Sequence, residues 1–310
     1  MERKICMYLD QVEGFMKGGP YRPITVEVDP SNACNLNCKF CMYADHIKRN
    51  KDIFPPALFR HFLWDLPLTV KSITFTGGGE PLMNPTFNTL AAAAKNKGLE
   101  IGLITNGTLL HKVNHPEWFK FIRISLDAFD AESYKRVKGA NLFDRVIQNI
   151  IDLVDKKATD VGISYVVCED NLVGAAEAAH LAEKLGVDYI QFKPAWINGK
   201  PFEIPEEFPG HSSIVTPRFV AKSRLPCVVA GLIGILGAEG NVYFCCQYRG
   251  DNRYRVGNIN DNRFADLWER RDQFGPPIDK CPHCRYMNYA KGVEKYSHPK
   301  YKFIRHTNFL

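Results

Sequence analysis

The run Cys34-Asn35-Leu36-Asn37-Cys38-Lys39-Phe40-Cys41 places three cysteines at the spacing C-x3-C-x2-C. This is one thiolate short of the four that usually hold a [4Fe–4S] cluster, so one iron of such a cluster keeps a position for another molecule. A zinc site is one alternative, but zinc normally takes two pairs of ligands, and no second pair stands nearby. Three unrelated buried cysteines are the other. The spacing favours a cluster that takes part in chemistry.

Three further stretches follow the cysteines. Residues 76–81 read Thr-Gly-Gly-Gly-Glu-Pro, residues 103–107 read Leu-Ile-Thr-Asn-Gly, and residues 124–127 read Ile-Ser-Leu-Asp. Each stretch alone is weak evidence for a function, since a glycine run usually marks only a turn. Together and in this order they resemble the radical S-adenosylmethionine (radical SAM) superfamily, and the resemblance covers about residues 20–290.

The resemblance implies a [4Fe–4S] cluster on Cys34, Cys38 and Cys41. It also implies SAM bound beside the cluster and cleaved reductively to a 5′-deoxyadenosyl radical, which removes a hydrogen atom from the substrate. Contacts to SAM are expected from the aromatic residue before the third cysteine and from the later stretches: Phe40, Gly77, Gly78, Gly79, Glu80, Pro81, Asn106 and Ser125.

Alternating strand and helix patterns predict an α/β fold. Two helices are predicted, over 142–154 by its apolar spacing and over 172–185, ending at Gly186. The short connection before the fourth strand predicts no clear helix. Such alternation predicts a parallel sheet with its site at the carboxyl ends of the strands, and the resemblance implies a partial (β/α)6 TIM-like barrel. Six short segments rich in β-branched residues are predicted as strands: 24–29, 72–76, 100–105, 121–126, 162–167 and 189–193.

A second group of cysteines lies further along the chain. Residues 240–245 predict the second strand of a hairpin that ends in a ligand, and residues 281–284 form a C-x2-C pair. The thiolates of Cys227, Cys245, Cys281 and Cys284 suit either a complete [4Fe–4S] cluster or a zinc ribbon. Their spacing resembles the SPASM/twitch extension of radical SAM enzymes. No cysteine follows Cys284, which favours the shorter twitch type with one auxiliary cluster.

These features divide the chain into three parts. Residues 1–195 are predicted to form the partial barrel, and the proline-punctuated residues 196–226 a linker or loop over its mouth. Residues 227–310 are predicted to form a small twitch-type iron–sulfur domain with a basic, aromatic tail.

Several residues at the ends of the fifth and sixth strands are candidates for contact with substrate. Cys168, at the end of the fifth strand, and Cys246, next to the predicted ligand Cys245, are candidate hydrogen donors, although a free cysteine is also a common small buried residue. Lys193 and Glu169 are candidate catalytic or binding residues, and each also fits an ordinary place at the barrel rim. Tyr165, Gln191 and Trp196 could likewise contact substrate or be ordinary barrel or rim residues.

The sequence also indicates the cellular compartment and the partners of the protein. It has no signal peptide or membrane-length apolar run, and its ten cysteines point to metal binding in a reducing cytoplasm. The net charge of +6 does not by itself argue for nucleic acid, although the basic tail over 285–310 leaves that partner open. The resemblance implies a flavodoxin- or ferredoxin-like electron donor.

The expected activity is radical SAM chemistry on a small metabolite, sugar or nucleotide-like substrate, with the auxiliary cluster as a possible electron acceptor. The residues before the first strand are too few for a leader-binding domain, which favours a compact substrate in a closed cavity. Modification of a ribosomally made peptide is the alternative, and a non-catalytic iron–sulfur or zinc protein is the remote one. The net reaction type, whether oxidoreductase, isomerase or lyase, stays open.

The two cysteine groups predict a specific iron content. Anaerobically reconstituted protein should hold about eight iron atoms, four in each cluster. Replacing Cys34, Cys38 and Cys41 together by alanine should leave about four, with cluster-like visible absorbance, as measured by iron analysis and spectroscopy. One zinc atom and no iron in that variant would show a zinc ribbon instead.

Overall fold

The computed structural model describes residues 7–8, 23–197, 200–204, 221–222, 229–271 and 283–284. Its centre is a sheet with six parallel strands that follow one another in chain order. All six predicted strands are confirmed, and no bound differs from the prediction by more than two residues. The strands are β1 Thr25–Val28, β2 Ser72–Phe75, β3 Glu100–Thr105, β4 Phe119–Ser125, β5 Asp160–Val167 and β6 Tyr189–Pro194.

Helices connect most of these strands. The two predicted helices are confirmed as α5 and α6, and α6 begins three residues later than predicted. Between β3 and β4 the chain forms only two 3-10 turns, at Leu110–Lys112 and Pro116–Trp118, as the sequence predicts. The helices are α1 Ala44–Arg49, α2 Pro56–Trp64, α3 Phe87–Asn96, α4 Ala131–Lys138, α5 Phe143–Asp155, α6 Ala175–Lys184 and α7 Phe264–Arg270.

The sheet continues beyond the six barrel strands. Strand β10 (Ile233–Leu236) pairs in parallel with β1, on the side opposite to β2. Strands β11 (Asn241–Tyr243) and β12 (Arg255–Asn258) extend it in antiparallel pairing, so the predicted hairpin is confirmed. Strands β10, β11 and β12 of the C-terminal segment therefore share one nine-stranded sheet with the barrel.

Two short strand pairs lie outside this sheet. β7 (Trp196–Ile197) pairs with β8 (Lys200–Pro201) directly after β6. The backbone of β13 (His283–Cys284) pairs with that of β9 (Ala221–Lys222). The second pair places the backbone of Cys284, one of the predicted cluster ligands, beside Ala221.

Successive side chains along each strand point alternately into the hydrophobic core and into the interior of the barrel. On β4, Ile122 and Ile124 are fully buried in the hydrophobic core, while Arg123 and Ser125 face the opposite side and line a cavity. Aromatic side chains join the outer helices to the sheet. Phe62 of α2 meets Phe264 of α7 edge-on at 5.1 Å, which ties the C-terminal segment to the first helices. No helix in the described ranges is long and apolar enough to cross a membrane.

Helix α4 has well-defined ends. The Asp130 carboxylate accepts a hydrogen bond from the Ser133 amide at 2.7 Å, and the Ser133 hydroxyl interacts in return with the backbone of Asp130. The helix ends at Gly139, whose positive φ of 70° allows the left-handed turn. Its last residue is Lys138, a buried lysine at the functional site.

Asp130→Ala removes the N-terminal cap of α4. The free energy of unfolding should fall by about 1 kcal/mol, because the first amides of the helix lose their acceptor. Urea unfolding of the reduced apoprotein measures the change. Glu132→Ala in the same turn is the matched control and should change it by less than about 0.5 kcal/mol; equal losses in the two variants would contradict a capping role.

Candidate functional site

The three N-terminal cysteines lie on one wall of a single cavity. Cys34, Cys38 and Cys41 belong to the loop after β1, and each side chain is half-buried. The cavity has a volume of about 260 Å³ and lies at the carboxyl ends of the barrel strands. Phe40 also lines it, as the resemblance implies. The cysteine loop, residues 34–41, therefore stands where a parallel barrel places its chemistry.

The C-terminal end of α4 supports the middle of the cysteine loop. The amide of Asn37 donates to the carbonyl of Lys138 at 3.2 Å, and the amide of Lys39 donates to that of Val137 at 3.0 Å. These two amides flank Cys38. The last carbonyls of a helix lack partners within the helix, so the loop supplies them.

The glycine run, residues 77–79, supports the start of the cysteine loop. The amide of Glu80 donates to the carbonyl of Ala33 at 2.8 Å. A Cβ atom on Gly79 would lie 2.3 Å from that same carbonyl oxygen, closer than real contacts allow. Gly79 is therefore required for the two segments to approach each other. Gly77, Gly78 and Gly79 all line the cavity.

Glu80 is a buried carboxylate at the cavity wall. It accepts hydrogen bonds from the Thr105 hydroxyl at 2.6 Å and from the Asn106 amide at 2.7 Å. It also accepts from the amide of Leu82, in the 3-10 turn that Pro81 begins. Burial raises the pKa of Glu80, and these donors oppose the shift. Pro81 itself is buried and is not among the residues that line the cavity.

Asn106 braces the cysteine loop from the third strand. Its side-chain amide donates to Asn35 at 2.8 Å, and its carbonyl oxygen accepts from the Thr108 hydroxyl at 2.7 Å. Asn35 in turn donates to the Thr108 hydroxyl. Asn106 and Ser125 both line the cavity, and their contact with SAM stays a prediction.

A buried ion pair stands beside Cys38. Lys138 donates to Asp127, and both side chains are almost completely inaccessible to solvent. Asp127 has a positive φ of 59° and also accepts from the Val166 amide at 2.6 Å. Burial lowers the pKa of Lys138, but the Asp127 carboxylate and Cys38 more than offset this, so the pKa lies above its ordinary value. Lys138 therefore stays positively charged beside Cys38.

The cysteines fit an iron–sulfur cluster. Burial raises the pKa of the Cys34 thiol to about 11 and also raises the pKa of Cys38 and of Cys41, so their thiolates need a strongly positive partner. Among the described residues no three Cys, His, Asp or Glu side chains converge on the point that a single metal ion would occupy. In a cube each cysteine would bind a different iron, so the three thiols need not meet at one point.

The cavity lining also carries cations. Arg123 on β4 and Lys193 on β6 both line the cavity, together with Trp196. Arg123 donates to the side chain of Gln191 at 3.1 Å. The C-terminal segment contributes to the lining as well, through Cys246 and Arg249.

The remaining predicted site residues lie elsewhere. Cys168 is 4% exposed and does not line the cavity, and Glu169 is exposed to solvent. Cys245 is half-buried and packs beside Cys246, Ile235 and Tyr243. Cys227, Cys281 and the tail over 285–310 lie outside the described residues, and of Cys284 only the backbone is described. Their assignments stay predictions.

Sequence reasoning did not find Lys138 or Arg249. A lysine in the last turn of a helix is normally solvent-exposed, and an arginine in a polar loop carries no motif. The only available signal was the glycine after Lys138, which ends the helix at the site.

Comparisons with known proteins agree with this geometry. The sequence model of the radical SAM superfamily matches residues 28–182, half of the chain. The chain belongs to the radical SAM superfamily. A second model, for the iron–sulfur cluster-binding domain called SPASM, matches residues 227–285. The protein is therefore a radical SAM enzyme, and the two matches imply [4Fe–4S] clusters and SAM as its cofactors.

Individual relatives differ in what their names describe. A probable GTP 3′,8-cyclase of Methanococcus aeolicus is 27% identical over 72% of this chain and 79% of its own. The mycofactocin maturase MftC of Mycolicibacterium smegmatis is 24% identical over 91% of this chain and 80% of its own. The crystal structure of Streptococcus suis SuiB bound to precursor peptide SuiA shares the fold, with a TM-score of 0.67 at 16% identity, over 87% of this chain and 69% of SuiB.

Lys138→Met should lower the free energy of unfolding of the apoprotein by about 3 kcal/mol, because it leaves the Asp127 carboxylate buried without its cation. The double variant Lys138→Met/Asp127→Asn should be more stable than Lys138→Met alone, since it removes the uncompensated charge. Chemical unfolding under reducing conditions measures both. A loss below about 1 kcal/mol in the single variant would show that the pair is not buried as described.

Proposed function

We propose that this radical SAM enzyme acts on a compact metabolite, sugar or nucleotide-like substrate that carries an acidic group. One observation carries the proposal: the cavity that the three cysteines line is also lined by Arg123 and Lys193. Its volume of about 260 Å³ lies just below the roughly 300–1,000 Å³ of typical small-ligand sites. A carboxylate or phosphate bound to these cations would hold a small substrate facing the cluster side.

Each cofactor has candidate residues to hold it. Cys34, Cys38 and Cys41 would hold the cluster, and the glycine run with Glu80 would receive the amino group of SAM. Asn106 and Ser125 stand where they would flank the rest of the SAM molecule. When bound and reduced, these groups supply a 5′-deoxyadenosyl radical that can remove an unactivated hydrogen atom.

The protein's own residues would control where that chemistry acts. Lys138 holds positive charge beside Cys38, and its partner Asp127 fixes it in place. Arg123 is oriented by Gln191, which favours a defined position for an acidic substrate group. Trp196 also lines the cavity and would help to exclude water from the substrate.

The C-terminal segment would contribute one auxiliary [4Fe–4S] cluster on Cys227, Cys245, Cys281 and Cys284. Its proposed role is to accept an electron from a substrate radical. Of the two candidate hydrogen donors, Cys246 has the better placement, since it lines the cavity and Cys168 does not. A flavodoxin- or ferredoxin-like donor and a cytoplasmic location complete the proposal.

Peptide modification is the competing proposal. The similarity to a maturase over most of the chain and the fold shared with peptide-bound SuiB support it. The similarity to a probable GTP 3′,8-cyclase supports a nucleotide-sized substrate instead. The two cations in the cavity lining favour a small acidic substrate.

A turnover screen separates the two. Reconstituted enzyme, SAM and reductant are incubated with acidic small metabolites, nucleotides and precursor peptides, and 5′-deoxyadenosine and product are quantified. We expect substrate-dependent turnover only with small acidic compounds, because Arg123 and Lys193 bind their charge. Lys193→Met should raise the KM at least about tenfold, as for the loss of a charged contact.

Cys38→Ala is the control for the screen. Two thiolates cannot hold the cluster in place, so this variant should form no 5′-deoxyadenosine with any compound. Efficient turnover of a long peptide, with none on any small compound, would overturn the proposed substrate class.

A further inference from the structure

Arg249 is one of two described residues, with Cys246, through which the C-terminal segment reaches the SAM cavity. Its side chain is 3% exposed and lies among groups of the barrel and of the cysteine loop. It follows the 3-10 turn Cys246–Tyr248, whose last amide donates to the carbonyl of Cys245 at 3.0 Å. Arg249 is thus attached by one short turn to a predicted ligand of the auxiliary cluster.

Two carboxylates from the first barrel strand and its end receive the Arg249 guanidinium. Nη2 donates to Oε2 of Glu27 at 2.9 Å, and Nε lies 2.9 Å from Oδ2 of Asp29. Asp29 is fully buried, and its other oxygen, Oδ1, accepts no hydrogen bond from the described residues. Arg249 is therefore the main positive charge next to a buried carboxylate.

The same guanidinium also contacts the segment that follows the third cysteine. Nη1 donates to the hydroxyl of Tyr43 at 3.2 Å, and the guanidinium lies 5.3 Å from the centre of the Tyr43 ring. The Tyr43 hydroxyl donates to the carbonyl of Cys246 at 2.8 Å. Tyr43 stands two residues after Cys41, so these bonds join the cysteine loop to the auxiliary segment.

Asp29 connects Arg249 to the glycine run. The amide of Gly78 donates to Oδ2 of Asp29 at 3.1 Å, the same oxygen that faces Arg249. A continuous series of polar contacts therefore runs from Cys246 through Arg249 and Asp29 to Gly78. Three segments that line the cavity meet at one guanidinium.

A purely structural role does not account for this arrangement well. Buried charge clusters are weak stabilisers, because removing two carboxylates and a guanidinium from water offsets most of their attraction. What such clusters provide is a fixed geometry. Here the fixed atoms are the backbone of the glycine run and the segment after Cys41, both beside the cofactor cavity.

We propose that Arg249 is a positioning residue that holds the glycine run and the cysteine loop in the geometry that binds SAM, so that the C-terminal segment sets the affinity for SAM. The proposal concerns the cofactor and is independent of the proposed substrate. It predicts that SAM binding depends on a residue outside the barrel segment that carries the family motifs.

The affinity for SAM is measured on reconstituted holoenzyme at pH 8 by calorimetry. Arg249→Gln should raise the Kd at least about tenfold, as expected for losing hydrogen bonds to charged groups. Asp29→Asn should raise it in the same direction, because the Gly78 amide loses its ionised acceptor. Arg249→Lys keeps the charge and should recover part of the loss.

The double variant tests the series of contacts. If Arg249 acts through Asp29, Arg249→Gln/Asp29→Asn should bind SAM no more weakly than the weaker single variant. Arg263→Gln is the matched control: it breaks an exposed ion pair of the same segment, with Asp65, and should leave the Kd within about twofold. Iron content is measured for every variant, and the SAM-induced change in the EPR signal of the reduced cluster is titrated as a second readout.

The wild-type protein provides a test without a destabilising substitution. Burial raises the pKa of Asp29 to about 7; Arg249 opposes this shift, while Glu239 and Glu27 add to it, and His46 lies near Gly78. As the pH falls below about 7, Asp29 takes up a proton and releases Arg249. The Kd of wild-type protein should therefore rise towards that of Asp29→Asn, and the two should converge near pH 6.

Each result decides the proposal. It is supported if the Kd rises in Arg249→Gln and Asp29→Asn with unchanged iron content and the two effects do not add. An unchanged Kd in both variants, with only a lower melting temperature, would overturn it, as would fully additive effects. If Arg249→Gln does not fold, Asp29→Asn and the pH titration still decide the question.

Discussion

The cysteine loop has no regular secondary structure of its own, and its shape depends on backbone hydrogen bonds to distant segments. Asn37 and Lys39 donate to the last carbonyls of α4, and the amide of Glu80 donates to Ala33 from the glycine run. Asn106 holds Asn35 from the third strand. Three thiols must stand in a fixed triangle to hold a cluster, so a loop braced on three sides is a physical requirement of the site.

The buried charges around the cavity also help to hold the segments of the site in a fixed arrangement. Lys138 is neutralised by Asp127 next to Cys38, and Arg249 faces Glu27 and Asp29 on another wall. Buried charges need partners, so most of these groups are committed to holding the protein's own segments. The cysteines therefore lie in an environment in which nearly all the fixed charge serves geometry. Arg123 and Lys193 also line the cavity, and Arg123 donates to Gln191.

The sequence predicted those parts of the structure that local patterns encode. The six strands, α5 and α6 follow from periodicity and turn residues over short windows, and the cysteines and glycine run follow from spacing. Lys138 and Arg249 could not be predicted, because their burial depends on Asp127 and Asp29, which are distant partners. The pairing of β10 with β1 was also missed. A parallel pairing across such a separation leaves no local signal, and the segment was therefore predicted as an appendage.

The position of β1 in the middle of the sheet has a consequence for synthesis of the chain. β2 pairs with one side of β1 soon after it is made, but β10 pairs with the other side through Thr25 and Ile233, 208 residues apart. At a translation rate of 5–20 residues per second, that side stays open for roughly 10–40 s on the ribosome. An unpaired strand edge is a template for wrong pairing with other chains. Iron therefore reaches the loop after β1 either while the sheet is unfinished or only after the C-terminal segment has emerged. A nascent chain released early would expose an aggregation-prone strand edge beside its cluster-binding cysteines.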